Sequence, residues 1–132
     1  DLHGPYSGTT RLRQRLDEAV AQFETADIRT TVQFIGPLSV IDPFLADHAE
    51  GVLREAISNA VRHADAKTLS IRVTVADELC IEVVDDGRGI GEIVTSSGLE
   101  NLRRRAADVG GIFAVGPGDA GGTRLRWCAP LH

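Results

Sequence analysis

An α/β two-layer sandwich, a mixed and mostly antiparallel sheet with helices on one face, is the fold class predicted by composition, periodicity and the shortness of the connections. The 132 residues, 42% of them hydrophobic and 25% charged, suit one compact domain over residues 1–132 with its own core. Segments with apolar residues at helical spacing alternate with short runs of period two, and no repeat or linker separates them.

Thr9 to Phe23 places Leu12, Leu16, Val20 and Phe23 at helical spacing, which predicts an amphipathic helix whose stripe must be covered. Ile28, Val32 and Phe34 alternate within a Thr-rich run, a strand signal that ends at Gly36-Pro37. Leu38 to Ile41 reads as a second short strand. Asp42-Pro43 supplies a cap residue followed by Pro in the first helical turn, and the helix so opened is expected to run to Ala64. Leu69, Ile71, Val73 and Val75, then Leu79, Ile81 and Val83, alternate with polar residues on either side of Ala76-Asp77-Glu78. This predicts an antiparallel hairpin with one buried face. After a Gly-rich stretch from Gly87 to Gly98, the residues Leu99, Leu102, Ala106 and Val109 mark another helix. Strands near Ile112 to Val115 and Thr123 to Cys128, joined by a turn from Gly116 to Gly122, close the chain.

The formal net charge of −5 argues against nucleic acid as a main partner, because phosphate backbones are held by clustered Lys and Arg. No apolar run approaches the roughly 20 residues that span a bilayer, so no membrane contact and a cytoplasmic location are expected. Cys80 and Cys128 by themselves are too few for a disulfide framework or a four-ligand zinc site, and free thiols are expected. The chain contains no Met, position 1 included, and a fragment cut from a larger protein is expected. A P-loop is absent, and the glycines at 87, 89 and 91 do not have the dinucleotide-binding spacing.

On the long helix, Leu45, Ala49, Leu53, Ala56, Ile57, Ala60, Val61 and Ala64 cluster on one arc. Glu55, Asn59, Arg62 and His63 fall on the opposite arc, so a carboxylate, an amide and two potential cations share a surface. Taken alone, that arc reads equally as a solvated face. Continuing the alternation past Val83 puts Asp85 on the buried face at the strand's end, where an unpaired carboxylate costs several kcal/mol or shifts its pKa. An ionised Asp only accepts, so an exocyclic amine such as that of adenine is a fitting partner, and Gly87 and Gly89 let the backbone pass close to a ring. An ordinary Asp-Gly turn is the plainer reading of the same residues. Thr95-Ser96-Ser97-Gly98-Leu99 enters the next helix, as simple capping or as a helix N-terminus offered to an anion, with Arg103, Arg104 and Arg105 adding to the field. Thr123, after Gly121-Gly122, is placed to assist Asp85 with a ligand or merely to favour the strand.

These signals stand in a fixed order: Glu-x-x-x-Asn-x-x-Arg-His-Ala from Glu55, Asp-x-Gly-x-Gly from Asp85, Gly-Leu-x-Asn-Leu-x-x-Arg from Gly98, then Gly122-Thr123. In this order the chain resembles, over essentially its whole length, the catalytic ATP-binding domain of bacterial sensor histidine kinases. That family shares the Bergerat fold with gyrase, Hsp90 and the mismatch-repair ATPases. Arg62-His63-Ala64 and the stretch from Gly98 to Ala106 are similar to the nitrate-sensor class, whose regulators are usually DNA-binding. The opening Asp1-Leu2-His3-Gly4-Pro5 resembles actinobacterial haem-based oxygen- or redox-sensing kinases with GAF domains.

The resemblance implies ATP and Mg²⁺ as cofactors. It makes Asn59 the Mg²⁺ ligand, with Glu55 acting through a water or orienting the metal shell, and these two the catalytic pair. Arg62 would contact phosphates and His63 the ribose or base. Asp85 would accept the adenine amine with help from Thr123, Gly87 and Gly89 would line the base pocket, and Gly98 and Leu99 would start the helix beneath the phosphates. The implied partners are the protein's own dimerisation and phosphoacceptor domain, absent from this chain, and a response regulator. His3, His48, His63 and His132 lack the acidic neighbour of the family's acceptor His, and a monomer is expected. The segment between Gly91 and Gly98 is short beside the family's ATP lid, roughly half the length at which loops count as long. It contains no Lys or Arg. Two alternatives stay open: a serine kinase of the anti-sigma type on the same fold, and a nucleotide-binding regulatory module without phosphotransfer.

Overall fold

The structure is a computed structural model that describes residues 4–23, 28–64, 66–87, 97–118 and 121–131. Helix α1 spans Gly4–Phe23 and strand β1 spans Arg29–Ile35. Helix α2, Pro43–Asn59, continues into a π-helical turn over Ala60–Ala64. Strands β2, Thr68–Val75, and β3, Glu78–Asp85, precede helix α3, Ser97–Asp108; β4, Ile112–Pro117, and β5, Thr123–Pro130, follow it. The strands form one sheet in the order β1-β2-β3-β5-β4. Only the β1–β2 pair is parallel; the other pairs are antiparallel. The mixed, mostly antiparallel sheet with a layer of helices is therefore the one the sequence predicts.

Strict alternation builds the sheet's buried face. Leu69, Ile71, Val73 and Val75 of β2 and Leu79, Ile81 and Val83 of β3 are all buried, while their neighbours on the opposite face are not. From β5, Leu125 and Trp127 join them, Trp127 standing opposite Ile81. Onto this face come Leu45, Ala49, Val52, Leu53, Ala56 and Ile57 of α2 and Leu99, Leu102 and Ala106 of α3, in one continuous core. Helix α1 packs along α2 through Leu12, Leu16, Ala19 and Val20. Arg15 fastens the pair by bonding Asp47 at 2.7 Å and Glu50 at 2.5 Å.

At the start of α2 the cap behaves as predicted, the Asp42 carboxylate accepting from the Leu45 N–H at 2.8 Å with Pro43 in the first turn. Three expectations change. Leu38–Val40 is a 3₁₀ turn, not a strand, because Val40 and Ile41 donate back to the carbonyls of Pro37 and Leu38 at 3.3 and 3.2 Å, a local bonding that leaves nothing for a ladder. The α-helix ends at Asn59 and widens into the π turn, a departure frequent at functional sites. The free thiols are the third correction. Cys80 and Cys128 lie directly opposite in the β3–β5 ladder, with Cα atoms 4.1 Å apart, and are joined by a disulfide.

Candidate functional site

Chain direction brings the candidate residues to one end of the sheet. The π turn after α2 leads to the start of β2, which pairs with the end of β3, which in turn pairs with the start of β5. The C-terminus of α2, Asp85 and Thr123 thus share one rim, and α3 follows β3 in sequence.

Asp85 is the last residue of β3, on the face of Leu79, Ile81 and Val83, and is buried at 6% exposure. Its Oδ1 accepts from the backbone N–H of Gly87 at 2.9 Å and from that of Thr123 at 3.3 Å. Among the described residues no donor reaches Oδ2. Burial pushes the carboxyl pKa up, and the two backbone hydrogen bonds only partly counter it, while neighbouring Asp86 adds to the rise. Opposite stands Thr123, 5% exposed, whose hydroxyl is buried without a partner. The close approach of β5 to this point depends on Gly122, which has φ +74° and whose added Cβ would collide with the Asp85 carbonyl.

Asn59 ends α2 at 7% exposure with its Nδ2 buried and unpartnered. This corrects the solvated-face reading for that residue, whose side chain is buried at the rim, and buried amides ordinarily have a hydrogen-bond partner. Glu55, one turn earlier, is half-buried, and Arg62 in the π turn is exposed. His63 lies in the same turn, with its side chain outside the described residues. Gly87 is present as the donor to Asp85. Gly89, and the segment 88–96 that contains the short lid, fall outside the described residues. Gly98 sits in the first turn of α3, and the Leu99 side chain is in the core at 2% exposure.

Two arginines of α3 have partners within the fold. Arg103 pairs with Glu100 at 3.3 Å and stacks over Phe113, and Arg105 lies against Gly51 of α2, 3.2 Å from the His48 ring. Sequence reasoning passed over Asp86, whose exposed carboxylate accepts from the N–H groups of Lys67 and Thr68 at 2.8 and 2.9 Å. These bonds, first that of Thr68, lower its pKa and pin the end of β3 to the segment leaving α2. The Asp85-Asp86 doublet held that signal, but only the register shows what the second carboxylate faces.

Which groups such a site accepts follows from its unsatisfied atoms. An amide oxygen at Asn59 and a carboxylate at Glu55, four residues apart, are the hard oxygen donors that suit Mg²⁺, and the unpartnered Asn59 Nδ2, a donor, suits an acceptor such as a phosphate oxygen. Asp85 and the Thr123 hydroxyl suit a base that donates an amine.

A five-stranded mixed sheet under a helical layer, with buried polar groups collected at one rim, makes a two-layer α/β sandwich with a candidate ligand site at that rim. The chain belongs to the family of histidine kinase-, DNA gyrase B-, and HSP90-like ATPases, whose model matches residues 45–132. It is 32% identical over 92 residues to the sensor protein VraS of Staphylococcus aureus strain COL, an alignment covering 67% of this chain and 26% of that protein. The chain therefore spans about a quarter of the length of the relatives it matches. Among solved structures, the Erythrobacter litoralis EL346 blue-light activated histidine kinase has a TM-score of 0.73 at 21% identity over 94% of this chain and 42% of that one. The ATP-binding domain of PrrB from Mycobacterium tuberculosis gives 0.68 at 22% identity over 94% and 93%. At those identities the likeness shows the fold.

Proposed function

We propose that residues 1–132 are the nucleotide-binding unit of a longer sensor kinase, presenting the γ-phosphate of Mg-ATP to a His on the parent protein's dimerisation domain for relay to a response regulator. The observation that carries this reading is Asp85: a buried carboxylate held by two backbone N–H groups on one oxygen, beside the buried, unpartnered Thr123 hydroxyl. Such an arrangement reads the exocyclic amine of adenine, with Thr123 assisting directly or through a water. Asn59 supplies the oxygen that holds Mg²⁺ and Glu55 orients a water in the same shell. When bound, that ion neutralises phosphate charge. Arg62, exposed on the π turn, contributes positive charge towards the phosphates, and His63 lies towards the ribose or base. Gly87 and Gly89 let the chain lie flat along the ring, and Gly98 and Leu99 start helix α3 beneath the phosphates. Phosphoryl transfer asks mainly for positioning and charge neutralisation, which this set provides.

The test is calorimetric titration of the chain with a non-hydrolysable ATP analogue and Mg²⁺, beside Asp85→Asn. Binding that the variant loses, with the variant's circular dichroism native, is the expected result. Equal binding by both would remove Asp85 from the site. The lid segment's lack of Lys and Arg favours one second reading, a nucleotide-binding regulatory module. It predicts binding without phosphotransfer even when the parent's dimerisation domain is supplied.

A further inference from the structure

The sheet face turned away from the helices carries a cluster that nucleotide binding does not use. On it Cys80 of β3 and Cys128 of β5 stand in register, and the preceding residue on that face of β3 is Glu78. A carboxylate oxygen of Glu78 and both sulfurs lie within 4.8 Å of one another. Arg126 sits beside them, its Nη2 3.7 Å from the Cys80 sulfur. The cluster borders an open concavity of about 330 Å³ whose lining includes Arg72, Thr74, Glu78 and Arg126. Asp85, being on the other face of the same strand, is not part of it.

Two ligand sets are available to these atoms, and the oxidation state selects between them. As the disulfide, each sulfur is committed to the other. As two thiols on opposed strands with a carboxylate beside them, they become an S,S,O donor set, the chemistry that suits Zn²⁺ with a water in the fourth position. The Arg126 guanidinium next to Cys80 favours the thiolate over the thiol. Its charge also closes the local balance, since two thiolates and a carboxylate exceed by one the charge of a divalent ion.

We propose that Cys80, Cys128 and Glu78 form a redox-gated site for a thiophilic divalent cation, Zn²⁺, on the outer face of the sheet. A dithiol reductant delivers two electrons and two protons to the S–S bond and leaves as its own disulfide. Zinc then displaces the two thiol protons to solvent and takes both thiolates and the Glu78 carboxylate. Oxidation by a disulfide-class oxidant removes two electrons, re-forms the S–S bond and releases the ion.

The experiment uses the 132-residue chain with no nucleotide present, so its outcome is independent of the ATP reading. The protein is reduced, freed of reductant, and titrated with Zn²⁺ in competition with a chromophoric chelator. A parallel Co²⁺ titration follows the thiolate-to-metal charge-transfer band. The proposal expects one ion per reduced chain, release of about two protons per ion, and loss of the site in the disulfide form. Cys80→Ser and Cys128→Ser abolish the charge-transfer band or reduce it to that of a single thiolate, and Glu78→Gln weakens Zn²⁺ roughly tenfold while keeping the band. Glu78 lies at an exposed hairpin end, so its variant tests the site even where a cysteine variant fails to fold. No zinc uptake by the reduced chain, uptake unchanged in the oxidised chain, or a Co²⁺ spectrum without thiolate character would each overturn the proposal.

Discussion

Asp85 and Asp86 are adjacent residues of one type whose environments drive them in opposite directions. Asp85 follows the buried alternation of β3, gains two backbone donors, and still has its pKa pushed up because burial outweighs them. Asp86, one residue on, is in water, gains two backbone donors from Lys67 and Thr68, and has its pKa lowered. Burial is the largest influence on Asp85, whereas on exposed Asp86 the hydrogen bonds of Thr68 and Lys67 come first, so solvation is the main difference. A carboxylate that the fold holds at a cost is available to a ligand, whereas one that the fold satisfies is a fastening.

The largest effect should come from Asp85→Asn. The amide replaces an acceptor with a group that meets the adenine amine badly, so nucleotide affinity should fall by about a hundredfold or more. The new Oδ1 still accepts from Gly87 and Thr123 and no charge is buried, so the thermal midpoint at neutral pH should be equal to or above that of the original chain. A lowered midpoint would erase the contrast with Asp86. Asn59→Ala comes next. It should remove the Mg²⁺ dependence of ATP-analogue binding, roughly a tenfold effect, while leaving adenosine binding in place. Equal losses for both ligands would signal damage to α2 instead.

Asp86→Ala should cost stability rather than recognition. Two charge-assisted bonds to backbone N–H groups are lost, but the carboxylate is exposed, so about 1 kcal/mol is expected in denaturant unfolding. The smallest effects are in the pH dependence near the ordinary Asp value of 3.8. The raised pKa of Asp85 means that the folded chain holds its proton more tightly, so that residue's contribution to stability falls as pH rises from 3.8 through the raised value. For Asp86 the folded pKa is lowered, so its contribution is present above 3.8 and is lost as pH falls through the lowered value. Unfolding midpoints of Asp85→Asn and Asp86→Ala, each compared with the original chain between about pH 3 and pH 7, should therefore diverge in opposite senses. Parallel curves would break the comparison.

Local patterning made much of this legible in advance. The alternation from Leu79 to Val83 placed Asp85 on the buried face, and Asp42-Pro43 marked the start of α2, because both are short-range consequences of pleat and cap chemistry. What the sequence hid depends on partners far along the chain. The disulfide exists because the β3–β5 register sets Cys80 opposite Cys128, 48 residues away. Asp86 shows its role only against Lys67 and Thr68, and Arg105, in the last turn of α3, shows its partners only where α2 brings Gly51 and His48 against it. Leu38–Val40 misled because its apolar residues fit a strand as well as a 3₁₀ turn, and periodicity over so few residues does not separate them. Asn59 stood in the polar arc of the wheel, yet the packed rim buries it.

The central claim is that Asp85 accepts a hydrogen bond from an exocyclic amine. Calorimetric comparison of Mg-ATP and Mg-ITP on the unmodified chain tests it directly, because the two differ at that substituent, an amine in one and a carbonyl oxygen in the other. The account predicts that ITP binds weaker than ATP by about a hundredfold or more, a buried carboxylate facing an oxygen in place of a donor. Equal affinities would contradict it and place the base elsewhere on the rim.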